Sequence, residues 1–457
     1  MKVMKFGGSI LRSAEDIKRA AGIVRNEDDE RVVVISALGG VTDEIETFLD
    51  GLDRGKGSPA DAAESLRRRH ANILSELVNS RTLADEIRGR VNSQIERWER
   101  VAFGVLYTEE LTPRSRDFLM SFGERLSVIL FEGALKDHNV PAQAMEMDRL
   151  GCITDGEYGC ATVDMESTEK QLPQAIQPVV KGGEVPVITG FFGSDERGHT
   201  TVFGRGGADY SAAVTANALD AEVLELWKDV EGFYSADPTL VPSARHMSRL
   251  SYDEAAEMAY FGARILHPMA IWPLSEKNIP LWVGDIGHAD RSRGTLVTSE
   301  TTRNGQVIKC VTSSKDIGIL KIQGAGVGHT PGVLSRFVSE LSHAGINIKS
   351  VITSQTSIAI LLDRNDLQRA HELLKRLPTK VVERLMPLPG VAIIGVVGDG
   401  LNNTKGVAGK IFSAVAGKGI NVEMISSGAS ETAYYFIVNE SEVERAVVTI
   451  HDDLFGP

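Results

Sequence analysis

The first 300 residues alternate short β-branched runs with longer stretches whose apolar positions recur at helical spacing. Val3–Phe6 reads as a strand, followed by Gly7-Gly8 and a helix through about Arg25. Arg31–Ser36 (RVVVIS) is apolar without alternation, as a strand covered on both faces should be, and it runs on to Gly39-Gly40. Residues 60–135 are predicted largely helical. Val185–Thr189, Val223–Leu226 and Pro280–Val283 read as further buried strands. Strands separated by helices predict parallel crossovers, hence an α/β fold with a mostly parallel sheet flanked by helices. Ligands of such sheets bind at the carboxyl ends of the strands, where the glycine turns fall here.

The tail has another rhythm. Gly318–Asp363 and Val391–Asn439 read as two copies of one unit. Gly324-Ala325-Gly326 answers Gly398-Asp399-Gly400, Pro331-Gly332 answers Lys405-Gly406, and Gly345-Ile346-Asn347 answers Gly419-Ile420-Asn421, all at an offset of 74 residues. Each copy predicts strand, glycine-rich turn, helix, strand, strand, helix, the split βαββαβ order.

Composition narrows the function classes. At 457 residues the chain is too long for one ordinary domain. A net charge of −13 argues against a general nucleic-acid or anionic-membrane surface, while leaving room for a local basic pocket. Cys152, Cys160 and Cys310 form no C-x-x-C and are expected to be buried or partly buried thiols in a reducing compartment. No 18-residue apolar run and no signal-peptide pattern is found, so a cytoplasmic protein is expected.

Five segments carry candidate chemistry. In Lys5-Phe6-Gly7-Gly8-Ser9, a strand delivers a lysine to a turn whose amides face outward, a phosphate cradle without a Walker motif. In Ser36-Ala37-Leu38-Gly39-Gly40-Val41-Thr42-Asp43, hydroxyls follow a strand, and Thr42 or Asp43 is expected to cap the next helix. Glu124, in Ser121–Ser127, suits either a substrate ammonium group or an ion pair with Arg125 or another neighbour. Gly190–Gly193 and Phe203–Ser211 present Arg205, a bidentate carboxylate binder, and Asp209 at a helix start, placed to orient a lysine. Leu226–Pro238 ends a strand in a polar aromatic loop suited to a nucleotide. His267 reads as structural, and no cluster has metal-ligand spacing.

In this order the motifs KFGGS, SALGGVTD, SFGERLS, GFFGS…GRGGAD, WKDVEGFYSADP and AYFGARILHP resemble those of the monofunctional aspartate kinases of the amino-acid kinase family. The resemblance covers essentially the whole chain, and the duplicated tail resembles paired ACT domains. It implies a catalytic domain over 1–300, a first ACT domain over 313–388, and a second built from 303–312 with 389–457. Residues near Val307–Val311 would supply the second unit's first strand. It implies transfer from ATP, with Mg²⁺, to the side-chain carboxylate of L-aspartate, the entry to lysine, threonine and methionine synthesis.

Carried over by motif, Lys5 and Asp209 would be catalytic. Ser36, Thr42, Glu124 and Arg205 would hold aspartate. Lys5, Gly7, Gly8, Ser9, Lys228, Asp229, Tyr234, Asp237 and Arg264 would hold ATP. Amino-acid effectors would bind around Val327, Asn347, Ile348 and Gln355. Lysine-sensing relatives carry an aspartate where Lys349 stands, so threonine is the expected effector over lysine. A homodimer or homotetramer is expected. Departures from the family pattern include Ala208 for serine, Lys228 for threonine, Arg264 for lysine and Thr239 for arginine. A kinase acting on glutamate or an acylated amino acid, or an amino-acid sensor without catalysis, are the alternatives.

Overall fold

The computed structural model describes residues 1–263, 265–288, 291–300, 307–377 and 381–456. Its contacts divide the chain into two compact units. One is Met1–Phe233, Met247–Tyr252 and Ile265–Thr301. The other is Tyr234–His246, Asp253–Arg264 and Thr302–Pro457.

The first unit is built on an eight-stranded sheet. Its strands are β1 (Lys2–Phe6), β2 (Arg31–Ile35), β3 (Ala142–Met145), β4 (Val185–Thr189), β5 (Val223–Lys228), β6 (Arg249–Ser251), β7 (Leu281–Asp285) and β8 (Thr295–Thr298). The spatial order is β3-β4-β2-β1-β5-β7-β8-β6. All pairings are parallel except that of β7 with β8. Val3, Met4, Phe6 and Val32–Ile35 are fully buried, which is why these runs show no alternation. Phe6 of β1 stacks on Trp227 of β5 and leans on Phe131.

Two helices are buried on all sides. Phe122–Asp137 is buried from Phe122 through Leu135, and every residue of Gly207–Ala218 is buried. Small residues let the second come close: a Cβ at Gly190 would lie 2.7 Å from the Ala208 Cβ. Residues 60–135 are helical as expected, as Pro59–Leu77, Arg81–Thr108, Pro113–Met120 and Phe122–Asp137.

The second unit holds two four-stranded antiparallel sheets of one design. The first runs, in spatial order, Ile348–Thr353, Ser357–Asp363, Ile317–Gln323, Arg384–Leu388. The second runs Met424–Ser426, Ala433–Asn439, Val391–Val397, Cys310–Ser314. The repeat is visible in the backbone: Gly332 and Gly406 are left-handed N-caps (φ 83° and 86°) of helices Val333–His343 and Val407–Gly417. A strand that precedes the first copy in sequence, Cys310–Ser314, completes the second sheet, somewhat later than residues 307–311. Helix Tyr252–Phe261 sends Glu254, fully buried, to Lys309 Nζ at 2.8 Å and to the Asp399 amide at 3.1 Å.

Three local expectations are corrected. The helix that ends at Arg25 as expected does not start directly at Gly7-Gly8. A three-residue 3₁₀ turn, Gly8–Ile10, comes first, and the helix Ala14–Arg25 begins behind Ser13, which forms a capping box with Asp16. Helix Val41–Leu52 is capped by Gly40 at φ 82°, with Thr42 and Asp43 inside its first turn. Cys152 and Cys310 are buried, whereas Cys160, in an open bend, is exposed.

Candidate active site

The site forms at the carboxyl ends of β1, β2 and β5, three neighbours in the sheet, so their terminal residues converge without any sequence proximity. β1 contributes Lys5, 4% exposed, and the turn Gly7-Gly8. Glycine is needed here for room. A Cβ on Gly7 would come 3.3 Å from Lys5 Nζ, and one on Gly8 would meet the Ala37 carbonyl at 2.9 Å. β5 contributes Lys228 and Asp229, and Asp229 Oδ1 accepts a hydrogen bond from the Ser9 hydroxyl at 3.0 Å.

Asp209 joins the two lysines. It lies in the first turn of helix Gly207–Ala218, behind the left-handed N-cap Gly206 (φ 76°). Its Oδ1 is 2.5 Å from Lys5 Nζ and its Oδ2 is 2.8 Å from Lys228 Nζ. Burial pushes the Asp209 carboxyl up, but the Lys228 and Lys5 charges more than offset it and hold the group well below the usual carboxylate range. Burial pushes Lys5 down to about 8, against the pull of Asp209. The result is one anion between two ammonium groups, a net positive centre.

Glu124, 3% exposed, faces the same region from helix Phe122–Asp137. Its Oε1 accepts from the Ala37 amide at 2.9 Å, and its Oε2 is buried without a partner among the described residues. Burial pushes its carboxyl up to about 8. The pairing of Glu124 with Arg125 is not formed. Arg125 is 1% exposed and donates to Glu146 and Asp148, each at 2.5 Å. An unsatisfied buried carboxyl oxygen beside an ammonium centre is the chemistry of a site that accepts a cationic ligand group.

Arg205 is set differently. Its side chain is 89% exposed, 3.8 Å from Asp43 and 3.6 Å from Glu46, and it sits between Gly204 and Gly206, both at positive φ. It is an exposed guanidinium on a glycine-flanked turn, loosely paired with two carboxylates. Thr42 is half-buried, and a Cβ on Gly123 would lie 3.7 Å from its hydroxyl oxygen. Ser36 is half-buried, and its carbonyl accepts from Ser127 Oγ at 2.6 Å.

Tyr234 and Asp237 belong to the second unit. Tyr234 stands edge-on to His246, and Asp237 Oδ1 accepts from the Thr239 amide at 2.8 Å and hydroxyl at 2.7 Å. Arg264 lies outside the described residues. In the first antiparallel sheet the structure brings together the loops of Val327 and Gln355, since the Gly328 amide donates to the Gln355 carbonyl at 3.1 Å. Val327 is buried, Ile348 half-buried, and Asn347 and Gln355 exposed. Lys349 Nζ is 3.6 Å from Asp363.

Sequence reasoning passed over two contributors. The Ala37 amide fixes Glu124, and a backbone group carries no residue signature. His267 caps Pro268–Ala270 through Nδ1, as its structural reading requires, yet its ring also backs Gly206, where a Cβ would lie 2.9 Å from Cδ2. Among the described residues no three His, Cys, Asp or Glu side chains are grouped to hold a metal, and no helix is long and apolar enough to cross a membrane.

Comparison with known proteins agrees over the full length. The amino acid kinase family model matches residues 1–285, and an ACT domain model matches 320–376 and 394–454. Aspartokinase 1, chloroplastic, of Arabidopsis thaliana is 31% identical, with 99% of this chain and 80% of that protein aligned. Lysine-sensitive aspartokinase 3 of Escherichia coli is 30% identical over 99% of each. The crystal structure of E. coli aspartokinase III with aspartate and ADP, in its R-state, superposes with a TM-score of 0.87 at 28% identity, covering 100% of both chains.

Proposed function

Because the chain belongs to the amino acid kinase family, and within it to the aspartokinases, we propose that it transfers the γ-phosphoryl group of ATP to the side-chain carboxylate of L-aspartate, giving ADP and 4-phospho-L-aspartate. The observation that carries this reading is the buried Lys5–Asp209–Lys228 centre at the strand ends, with Glu124 Oε2 unpartnered beside it.

In the transfer a carboxylate oxygen of aspartate forms a bond to the γ-phosphorus, and the bond from that phosphorus to the β,γ-bridging oxygen breaks. The electron pair leaves with ADP, and no proton has to move, because the attacking carboxylate is ionised at neutral pH. Such a reaction needs positioning and charge neutralisation more than covalent help. Lys5 is assigned to the transferring group. Asp209 holds Lys5 and Lys228 side by side and offsets their mutual repulsion. Lys228, a threonine in the usual pattern, adds a cation at the phosphates.

Glu124 is assigned to the ammonium of aspartate, Arg205 to a carboxylate, and Ser36 and Thr42 to the remaining polar contacts. Gly7, Gly8, Ser9, Asp229, Tyr234, Asp237 and Arg264 are assigned to the nucleotide. Mg²⁺ suits this site as an ion held by the phosphates, with the glycine turn leaving room for them.

The same reading places a catalytic domain over 1–300, a first ACT domain over 313–388 and a second over 303–312 with 389–457. It extends to a cytoplasmic homodimer or homotetramer in lysine, threonine and methionine synthesis. Threonine, with Val327, Asn347, Ile348 and Gln355 about it, is proposed as the effector over lysine, because the Lys349 ammonium repels a second cation. A coupled assay of ADP release with aspartate, glutamate and N-acylated amino acids tests the activity. Release with glutamate or an acylated amino acid in preference to aspartate would overturn it.

A further inference from the structure

Residues Tyr234–His246 form an excursion between Phe233 and Met247, both in the first unit. The two flanks are tied there. The Met247 amide donates to the Phe233 carbonyl at 2.8 Å, the Phe233 amide donates to Thr295 Oγ1 at 2.8 Å, and that hydroxyl donates to the Met247 carbonyl at 2.6 Å.

The excursion itself is packed into the second antiparallel sheet and its helices. Ala236 and Val241 are buried in one cluster with Ile394, Ile411, Ile450 and Phe455. A polar anchor lies inside this apolar packing. Ser235, 2% exposed, has its Oγ 2.8 Å from Nε2 of His451, which is fully buried on helix Val443–Phe455. The same Oγ accepts the Arg245 amide at 2.8 Å, while Arg245 Nη2 donates to the Phe455 carbonyl at 2.7 Å. The Ser235 carbonyl accepts from the Val311 amide at 2.8 Å.

The hydroxyl has one proton and two lone pairs, and with the Arg245 amide on one lone pair it either donates to His451 Nε2 or accepts from it, as the imidazole tautomer decides. Nδ1 is buried and has no partner among the described residues. A leucine or phenylalanine would fill this position without leaving a buried polar atom unpaired, so packing alone does not account for histidine.

We propose that His451 is a positioning residue for the nucleotide: through Ser235 it fixes the stretch Tyr234–Asp237, and it does not itself touch the substrates. This rests on the assignment of Tyr234 and Asp237 to ATP. The apolar contacts retain the excursion as a whole, but they are non-directional. The hydrogen bond to Ser235 sets its register.

The test uses the full chain and five variants: His451→Ala, Ser235→Ala, the double variant, His451→Gln, and Val447→Ala as a packing control on the same helix. ADP release is followed with ATP varied at saturating aspartate, beside melting temperature. His451→Ala and Ser235→Ala are each expected to raise KM for ATP about five- to tenfold, the effect of one lost hydrogen bond, with kcat within about twofold. The double variant should be no worse than either single one. His451→Gln, whose amide can either accept or donate, should keep KM near the wild-type value. Val447→Ala should lower the melting temperature and leave KM for ATP unchanged. The proposal is overturned by a His451→Ala variant whose KM matches that of Val447→Ala, or by additive effects in the double variant. Should the wild-type chain release no ADP with aspartate, it is the proposed function that fails. Calorimetric titration of ATP against the same variants then reads the anchor directly: an unchanged affinity in His451→Ala overturns it, and a five- to tenfold weaker one supports it.

Discussion

The Lys5 ammonium stands 2.5 Å from Asp209 Oδ1, with each side chain only 5% exposed. A buried pair of this kind is fragile toward loss of one partner, because the other charge is then left without compensation. Lys5→Ala should cut ADP release about a thousandfold with little change in KM for ATP, as expected for a contact made to charge that develops in the transition state. Asp209→Asn should be at least as damaging, since Lys5 and Lys228 would then face each other unneutralised. Steady-state kinetics of both variants decide the matter, and more than a tenth of wild-type turnover in Lys5→Ala would exclude Lys5 from catalysis.

Lys228 stands where the resemblance puts a threonine, and its Nζ is 2.8 Å from Asp209 Oδ2. Lys228→Thr should raise KM for ATP and lower turnover, each by about three- to tenfold, from loss of one charge-assisted contact. Unchanged constants would reject the assignment.

Glu124 makes the site sensitive to pH. Its folded value of about 8 lies above its ordinary 4.5, so between these limits the native protein holds a proton that the unfolded chain has released. Stability must therefore fall as pH rises through that window, and Glu124→Gln should flatten this part of the melting-temperature profile. Binding of an ammonium group favours the carboxylate. Aspartate should accordingly bind with release of about one proton near pH 7, seen by calorimetry as a heat that depends on the ionisation enthalpy of the buffer. A buffer-independent heat would remove Glu124 from the ammonium site.

Asp117, 2% exposed, accepts the Gly159 and Val202 amides at 2.9 Å each and so ties the turn at Gly159 to the end of strand Thr200–Val202, next to Phe203–Arg205. Burial pushes its carboxyl up to about 6. Asp117→Ala should cost about 2–4 kcal/mol by leaving both amides unpaired, while Asp117→Asn, which keeps an acceptor oxygen, should cost less than half as much. Thermal or urea unfolding of the two variants makes the comparison.

The half-buried Lys349, 3.6 Å from Asp363, bears on the effector. Isothermal titration should show threonine binding and lysine binding more weakly. The reverse order would overturn the proposed effector. Lys349→Asp should shift the preference toward lysine.

The sequence by itself determined the elements and the repeat. RVVVIS announces a strand covered on both faces because four apolar side chains run without alternation; Val32–Ile35 are all buried in the observed strand, Arg31–Ile35. The 74-residue offset survives in paired left-handed glycines, since φ near +85° is costly for any residue with a Cβ. Local pattern misled where two residues compete for one role: Gly40, not Thr42, starts its helix, and Ser13, well after Gly8, starts the first long one.

What the tertiary structure alone decided is which polar groups meet. Glu124 is held by the Ala37 amide across 87 residues, and Ser235 by His451 across 216. Period and propensity report how a segment buries its apolar face. They carry no record of a directional contact whose partner is brought near only when distant strands and helices pack. The glycine turn, Lys5 and Asp209 were legible as types of chemistry. Their 2.5 Å ion pair, the sharing of Asp209 with Lys228, and the unpartnered oxygen of Glu124 exist only in the folded chain.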